Sequence, residues 1–247
     1  MILKNKIILI TGAGKGIGFE TVKNCIKEGA FVYALIKDKR DIKKFGIFSK
    51  NSYKIFVGSV SNKKLIQNIF KDSIKYKNII EGVVNNAGVR FRKKFALITE
   101  KELNEVFKVN FFSIFFLIQN YKKYLSKFKK KGSIVNVSSI VGQIGFKELS
   151  VYASSKGALI SFTKSLAAEL SSEGIRLNSV SPGFTKTSFY EKFKKNKKLY
   201  NWTLSRIPMN RWGSAEEISK LISFLISENS SYINGENINI DGGWLSS

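Results

Sequence analysis

Runs rich in β-branched and aromatic residues alternate with stretches of helical period along the whole chain. This alternation limits the possible folds more than any single motif does. The β-rich runs are KIILIT, AFVYALI, SYKIFVG, IEGVVNNAG, GSIVNVSS, IRLNSVSPG and NINIDGG. Between them, helical patterns begin near Gly16, cover Leu65 to Ser73, Glu100 to Lys127 and Tyr152 to Leu170, and return near Ala215 to Ile226. Repeated βα units need crossover connections, so the strands are expected to lie parallel in one sheet with helices on both faces. The expected fold is α/β, a doubly wound parallel sheet of about seven strands in a three-layer sandwich. With 247 residues, two prolines and no low-complexity linker, the chain reads as a single domain over residues 1–247.

No apolar stretch reaches the ~20 residues needed to span a bilayer, and KNKIILITGAG has neither the length nor the cleavage site of a signal peptide. A cytoplasmic protein with no membrane partner is expected. The only cysteine, Cys25, sits among apolar neighbours. This excludes an intramolecular disulfide and a multi-cysteine metal site, and suits a core position. Histidine is absent altogether. Its absence removes the usual general base and any Ser-His-Asp triad, so proton transfer falls to Tyr, Lys or a carboxylate, and no metal is expected. The balance of 42 Lys plus Arg against 18 Asp plus Glu raises the question of a nucleic-acid partner. Lysines are spread over many segments, the pattern of a compositional bias and not of one basic face, so no nucleic acid is expected.

The segment TGAGKGIG, Thr11 to Gly18, joins the first β-rich run to the first helix. In a doubly wound sheet that turn presents backbone N–H groups and a helix N-terminus to a pyrophosphate. Its spacing, Gly12-x-x-x-Gly16-x-Gly18, is neither G-x-G-x-x-G nor a P-loop, and glycines alone serve any tight turn. An ordered series gives the loop its meaning: NNAG (Asn85 to Gly88), Asn110, Ser138 and Ser139, YASSK (Tyr152 to Lys156), SPG (Ser181 to Gly183) and RWGSAEEI (Arg211 to Ile218). Together these residues resemble the short-chain dehydrogenase/reductase family, from KIILITGAGKGIG to the closing INGENINIDGG. The resemblance implies a Rossmann-type fold and hydride transfer between a nicotinamide cofactor and a ketone or secondary alcohol, with 3-oxoacyl-[acyl-carrier-protein] reductase as the nearest functional label.

Y-x-x-x-K occurs at Tyr33/Lys37, Tyr152/Lys156 and Tyr190/Lys194, so the pattern by itself selects nothing. Context selects Tyr152, which lies 13 residues after Ser139 at the start of a helix, where a spacing of four puts Tyr and Lys on one face. A carbonyl that accepts hydride develops negative charge on oxygen, and a nearby donor must stabilise and protonate it. Tyr152 is the expected acid, with the Lys156 charge favouring its phenolate. The family implies that Lys156 also hydrogen-bonds the nicotinamide ribose, that Ser139 steadies the substrate oxygen and that Asn110 holds a proton-relaying water. Ser138 is the alternative serine. Ser154 and Ser155 are expected on the helix surface or in packing.

The resemblance further implies cofactor contacts at Gly12, Gly14, Lys15, Gly16, Ile17, Gly18, Lys37, Ser59, Val60, Asn86, Ala87, Gly88, Tyr152, Lys156, Pro182, Gly183, Thr185 and Thr187. NADP(H) is favoured over NAD(H). The usual acidic position falls on Ile36, and Lys15 and Lys37 supply cations for a 2′-phosphate, with Asp38 as the dissenting carboxylate. Ser59 stands where the family usually has an Asp at the adenine. Residues 184–212 are expected to form a mobile substrate loop.

The partner is expected to be a small ketone or a substrate on an acyl-carrier protein. KFKKK, Lys127 to Lys131, offers cations for an acidic carrier, whereas Glu173 opposes one. Lys147 and Glu148, near the expected pocket, favour a polar substrate such as a sugar or polyol. Arg90, Arg92, Lys93 and Lys94 suit either a carrier or a small anion. A nucleotide-binding regulator without catalysis is the non-enzyme alternative. Apolar residues on several faces of the Glu100 to Lys127 helix, including FFSIFFLI, predict a homotetramer or homodimer.

Overall fold

The computed structural model describes residues 1–187 and 190–246. Strands β1 (Ile7–Thr11), β2 (Phe31–Ile36), β3 (Tyr53–Val57), β4 (Gly82–Asn85), β5 (Gly132–Val137), β6 (Ile175–Pro182), β7 (Thr185–Lys186), β8 (Gly213–Ser214) and β9 (Asn237–Ile240) follow in chain order. Seven of them form one sheet in the order β3-β2-β1-β4-β5-β6-β9, with every neighbouring pair parallel. β7 and β8 pair separately. The winding reverses between β1 and β4, so a crevice opens at the C-terminal ends of those strands, where this kind of sheet binds its ligand.

The period of two along each strand feeds two cores. Leu9, Tyr33, Leu35, Val83, Ile134 and Leu177 face α2 (Lys63–Lys75), α4 (Ser113–Phe128) and α5 (Ser150–Leu170). Ile8, Ile10, Val32, Ala34, Val84, Val135 and Val180 face α1 (Gly16–Lys27) and α8 (Ala215–Ile226). Both faces are buried, so the runs are apolar at nearly every position instead of alternating with polar residues. Cys25 lies in the second core and is fully buried.

The structure departs from the sequence reading in two places. The helical pattern from Glu100 is α3 (Glu100–Phe107), then a π turn at Lys108–Phe112, then α4. Inserted π turns collect at functional sites, and this one carries Asn110. The expected substrate loop, apart from residues 188 and 189, which lie outside the described residues, is folded. It contains α6 (Tyr190–Lys194) and α7 (Lys197–Arg206). Ile140, Phe193, Ile207, Trp212 and Trp244 form a third core beneath it, and Trp212 Nε1 donates to Thr203 Oγ1 at 2.8 Å.

Candidate active site

The glycine turn and the NNAG turn are built as one unit. Thr11 Oγ1 accepts from the backbone N–H groups of Asn86 and Ala87, both at 3.1 Å. Asn86 Nδ2 in turn donates to the carbonyls of Thr11 and Gly12 at 3.0 and 3.1 Å. A Cβ on Gly18 would come within 2.2 Å of the Gly12 oxygen, so no larger residue fits that approach. Thr11 is a positioning residue that the motif reading left out, although its place at the end of the first strand made it readable.

The N-cap of α1 is Lys15, whose side chain makes no capping hydrogen bond. The first-turn N–H groups of a helix in that state are available to an anion. Lys15, Ile17, Asn86, Gly88, Pro182, Gly183, Thr185 and Thr187 line one cavity of about 530 Å³ with Ser139, Tyr152 and Lys156. A groove that joins the start of a helix to a cluster of hydroxyls and an amine has the lining a dinucleotide requires. When bound, its nicotinamide supplies hydride. Gly12, Gly14, Gly16 and Gly18 shape the turn beneath this groove. Ala87 lies behind it, and Lys37, Ser59 and Val60 follow the ends of β2 and β3, outside the cavity lining.

The residues selected for chemistry converge from two elements. Ser139 follows β5, and Tyr152 and Lys156 stand one turn apart on α5. Ser139 hydrogen-bonds the Tyr152 phenol, while burial raises the phenol above its ordinary pKa and the Ser139 bond and the Arg90 charge act against that rise. The phenol is therefore held protonated at neutral pH, as a proton donor requires. Lys156 Nζ donates to the Val137 carbonyl at 2.7 Å and lies 5.9 Å from the Tyr152 ring centroid. Burial alone brings its pKa down to about 8. Arg90, which the sequence reading places only among the anion attractors, also acts on the phenol, working against the rise in its pKa. Ser138 turns inward and donates to the Lys156 carbonyl at 3.0 Å.

Asn110 is fully buried, and its side chain does not line the cavity. Its amide oxygen accepts from Val89 N at 2.8 Å, and its Nδ2 donates to Val89 O and to Ser155 Oγ, both at 3.0 Å. Ser155, expected only as packing, links the π turn to α5 because its Oγ also donates to the Tyr152 carbonyl at 2.8 Å. Of the other Y-x-x-x-K pairs, Tyr33 is buried in the first core and Tyr190 packs on Trp212 and Tyr200.

Four sequence expectations change. Asp38 is engaged within its own turn. It caps the turn after β2 by accepting from Arg40 N and from the Arg40 guanidinium, and this bonding holds its pKa near about 2. Lys147 and Glu148 do not line the cavity, whose walls there are Phe146 and Leu149, and Glu148 instead pairs with Arg92 at 2.9 Å. KFKKK precedes the first residue of β5, whereas the cavity opens beyond the last, so the strand length of roughly 20 Å separates them. Glu173 is also neutralised by Lys122 at 3.0 Å.

No group of acidic, Cys or His residues among the described residues is placed to hold a metal ion, and no described helix is long and apolar enough to cross a membrane. Comparison with known proteins agrees with the geometry. The family model described as Enoyl-(Acyl carrier protein) reductase matches residues 12–245. The 3-oxoacyl-[acyl-carrier-protein] reductase FabG of Thermotoga maritima is 37% identical over 98% of this chain and 99% of its own. A 4-hydroxyisoleucine dehydrogenase complexed with NADH superposes with a TM-score of 0.92 at 32% identity, covering 98% of this chain and 99% of its own. A protein from Agrobacterium tumefaciens described as a gluconate dehydrogenase superposes with a TM-score of 0.93 at 26% identity, covering 99% of this chain and 98% of its own. The chain belongs to the short-chain dehydrogenase/reductase family and is an oxidoreductase that uses a nicotinamide cofactor to interconvert CH–OH and C=O groups.

Proposed function

We propose that the protein reduces the ketone of 3-oxoacyl groups with NADPH, and that the groups arrive on an acyl-carrier protein. The observation that carries this reading is the wall of the substrate half of the cavity. Ile140, Val141, Phe146, Leu149, Phe184 and Trp212 form an apolar surface leading to Ser139 and Tyr152, as a substrate with an acyl chain requires. The relatives of similar length named as 3-oxoacyl-[acyl-carrier-protein] reductases support it. The nicotinamide would supply hydride to the carbonyl carbon, Tyr152 would give its proton to the oxygen, Ser139 would donate to that oxygen, and Lys156 would hold the ribose.

NADPH is supported by the absence of a carboxylate at Ile36, by the engagement of Asp38 with Arg40, and by the exposed cations Lys15 and Lys37. Arg90, in the loop after β4, lines the cavity, so an acidic carrier would meet that loop and not KFKKK. A second reading, reduction of a small oxo acid, is favoured by Arg90 in the cavity and by the gluconate dehydrogenase likeness.

The test compares kcat/KM for a 3-oxoacyl group on its carrier and on a short thioester mimic, at low and high salt. A carrier advantage that shrinks with salt is expected, because steering is electrostatic. No carrier advantage, together with faster turnover of sugar acids, overturns the reading.

A further inference from the structure

Arg90 is the residue after Val89 and stands at the edge of the cavity that holds Ser139, Tyr152 and Lys156. The backbone on both sides of it is fastened. Asn110 bonds Val89 through both N–H and C=O. On the other side, Arg92 Nε donates to Glu148 Oε2 at 2.9 Å, Lys93 N donates to the Glu148 carbonyl at 2.9 Å, and Lys93 Nζ pairs with Glu102 at 2.8 Å. Glu148 is itself held at φ +67, in the left-handed region. Five residues that make no contact with the reacting atoms thus fasten the stretch of backbone that presents Arg90 to the cavity.

Apart from Arg90, the substrate half of the cavity is apolar until it reaches Ser139 and Tyr152. Burial beside them lowers the Arg90 pKa, and the Tyr152 phenol counteracts this, so guanidinium and phenol are electrostatic neighbours. With Ser139 and Tyr152 on the ketone oxygen, a cation beside the phenol is placed for the next oxygen along a short substrate. A guanidinium is a rigid, permanently charged fork that suits a carbonyl or carboxylate oxygen.

We propose that Arg90 is the residue that reads a second acyl oxygen on the substrate, the C1 oxygen of a 3-oxoacyl compound, and so distinguishes such compounds from simple ketones. The shared chemistry is an acyl oxygen two carbons from the ketone, supplied either by a thioester carbonyl or by a free carboxylate. The inference rests on the reductase reading above and deepens it.

The experiment measures kcat/KM of wild type, Arg90→Ala, Arg90→Gln and Arg90→Lys with three substrates: 3-oxobutanoyl-N-acetylcysteamine, free 3-oxobutanoate and a mono-ketone of matched length. NADPH affinity is measured in parallel. Arg90→Ala is expected to lose about 10- to 100-fold with both acyl compounds and less than about threefold with the mono-ketone, with NADPH affinity unchanged. Arg90→Lys, which keeps the charge without the fork, is expected to recover part of the free-acid activity. If Arg90→Ala folds poorly, Arg90→Gln gives the same comparison. Equal losses on all three substrates, or no loss on the acyl compounds, overturn the assignment. Selective loss on the free acid alone, with the thioester not turned over, supports Arg90 while overturning the carrier reading.

Discussion

Asn110 grips Val89 from both sides of its peptide, accepting from N at 2.8 Å and donating to O at 3.0 Å. Through this grip the π turn between α3 and α4 sets the height of the NNAG loop against α5. Asn110→Ala leaves a partly buried N–H and C=O unpaired, which costs about 1–3 kcal/mol of stability. It is also expected to lower kcat by at least about tenfold, because the loop carries both Gly88 and Arg90. Urea melts and steady-state kinetics on the same preparations check both effects, and a variant with wild-type kcat contradicts the positioning role.

Lys156 is 4% exposed, and burial brings its pKa to about 8. An unfolded lysine titrates near ~10.4, so between those two pH values the unfolded chain binds more protons and stability rises with pH. Below about pH 8 the full penalty for the buried charge is present. Lys156→Met is therefore expected to abolish turnover and to raise stability by roughly 1–2 kcal/mol near neutral pH, less the loss of the bond to Val137. That gain should shrink as pH approaches about 10. Chemical denaturation at the two pH values checks the sign, and a gain that grows with pH contradicts it.

Lys37 follows the end of β2 and is exposed, beside an Asp38 already engaged by Arg40. Lys37→Asp replaces attraction by repulsion at a 2′-phosphate and is expected to raise the KM for NADPH about tenfold or more while changing that for NADH much less. Equal changes with both cofactors contradict a role for Lys37 in reading the phosphate.

Phe112, which closes the π turn, and Phe115, in the first turn of α4, are 46% and 39% exposed. Aromatic surface of this kind normally marks an interface, and a two-fold pairing of α4 would bury it. Light scattering at micromolar concentration is expected to give a dimer or tetramer for the wild type and a smaller species for Phe112→Lys combined with Phe115→Lys. A monomeric wild type contradicts this.

The fold was legible because both sheet faces are covered, which leaves the β-rich runs nearly continuous and sharply bounded. Ser139, Tyr152 and Lys156 were legible because their spacing is tied to one strand end and one helix turn. The π turn at Asn110 was not, since Val109, Phe111 and Phe112 continue the apolar pattern straight through it. The fate of charged side chains was also hidden. Asp38, Glu148 and Glu173 each read as free carboxylates, and each is engaged by a cation through folding: Arg40 two residues on, Arg92 from the loop after β4 and Lys122 on α4. Arg90 became significant only when folding set it beside Tyr152.

The assignment of the acid is tested most directly by Tyr152→Phe, which removes one oxygen from the site and leaves the ring in place. With a 3-oxoacyl thioester and saturating NADPH, kcat is expected to fall by at least about 100-fold while the NADPH dissociation constant stays within about threefold of wild type. A Phe variant that keeps a tenth of wild-type turnover would show that another group delivers the proton.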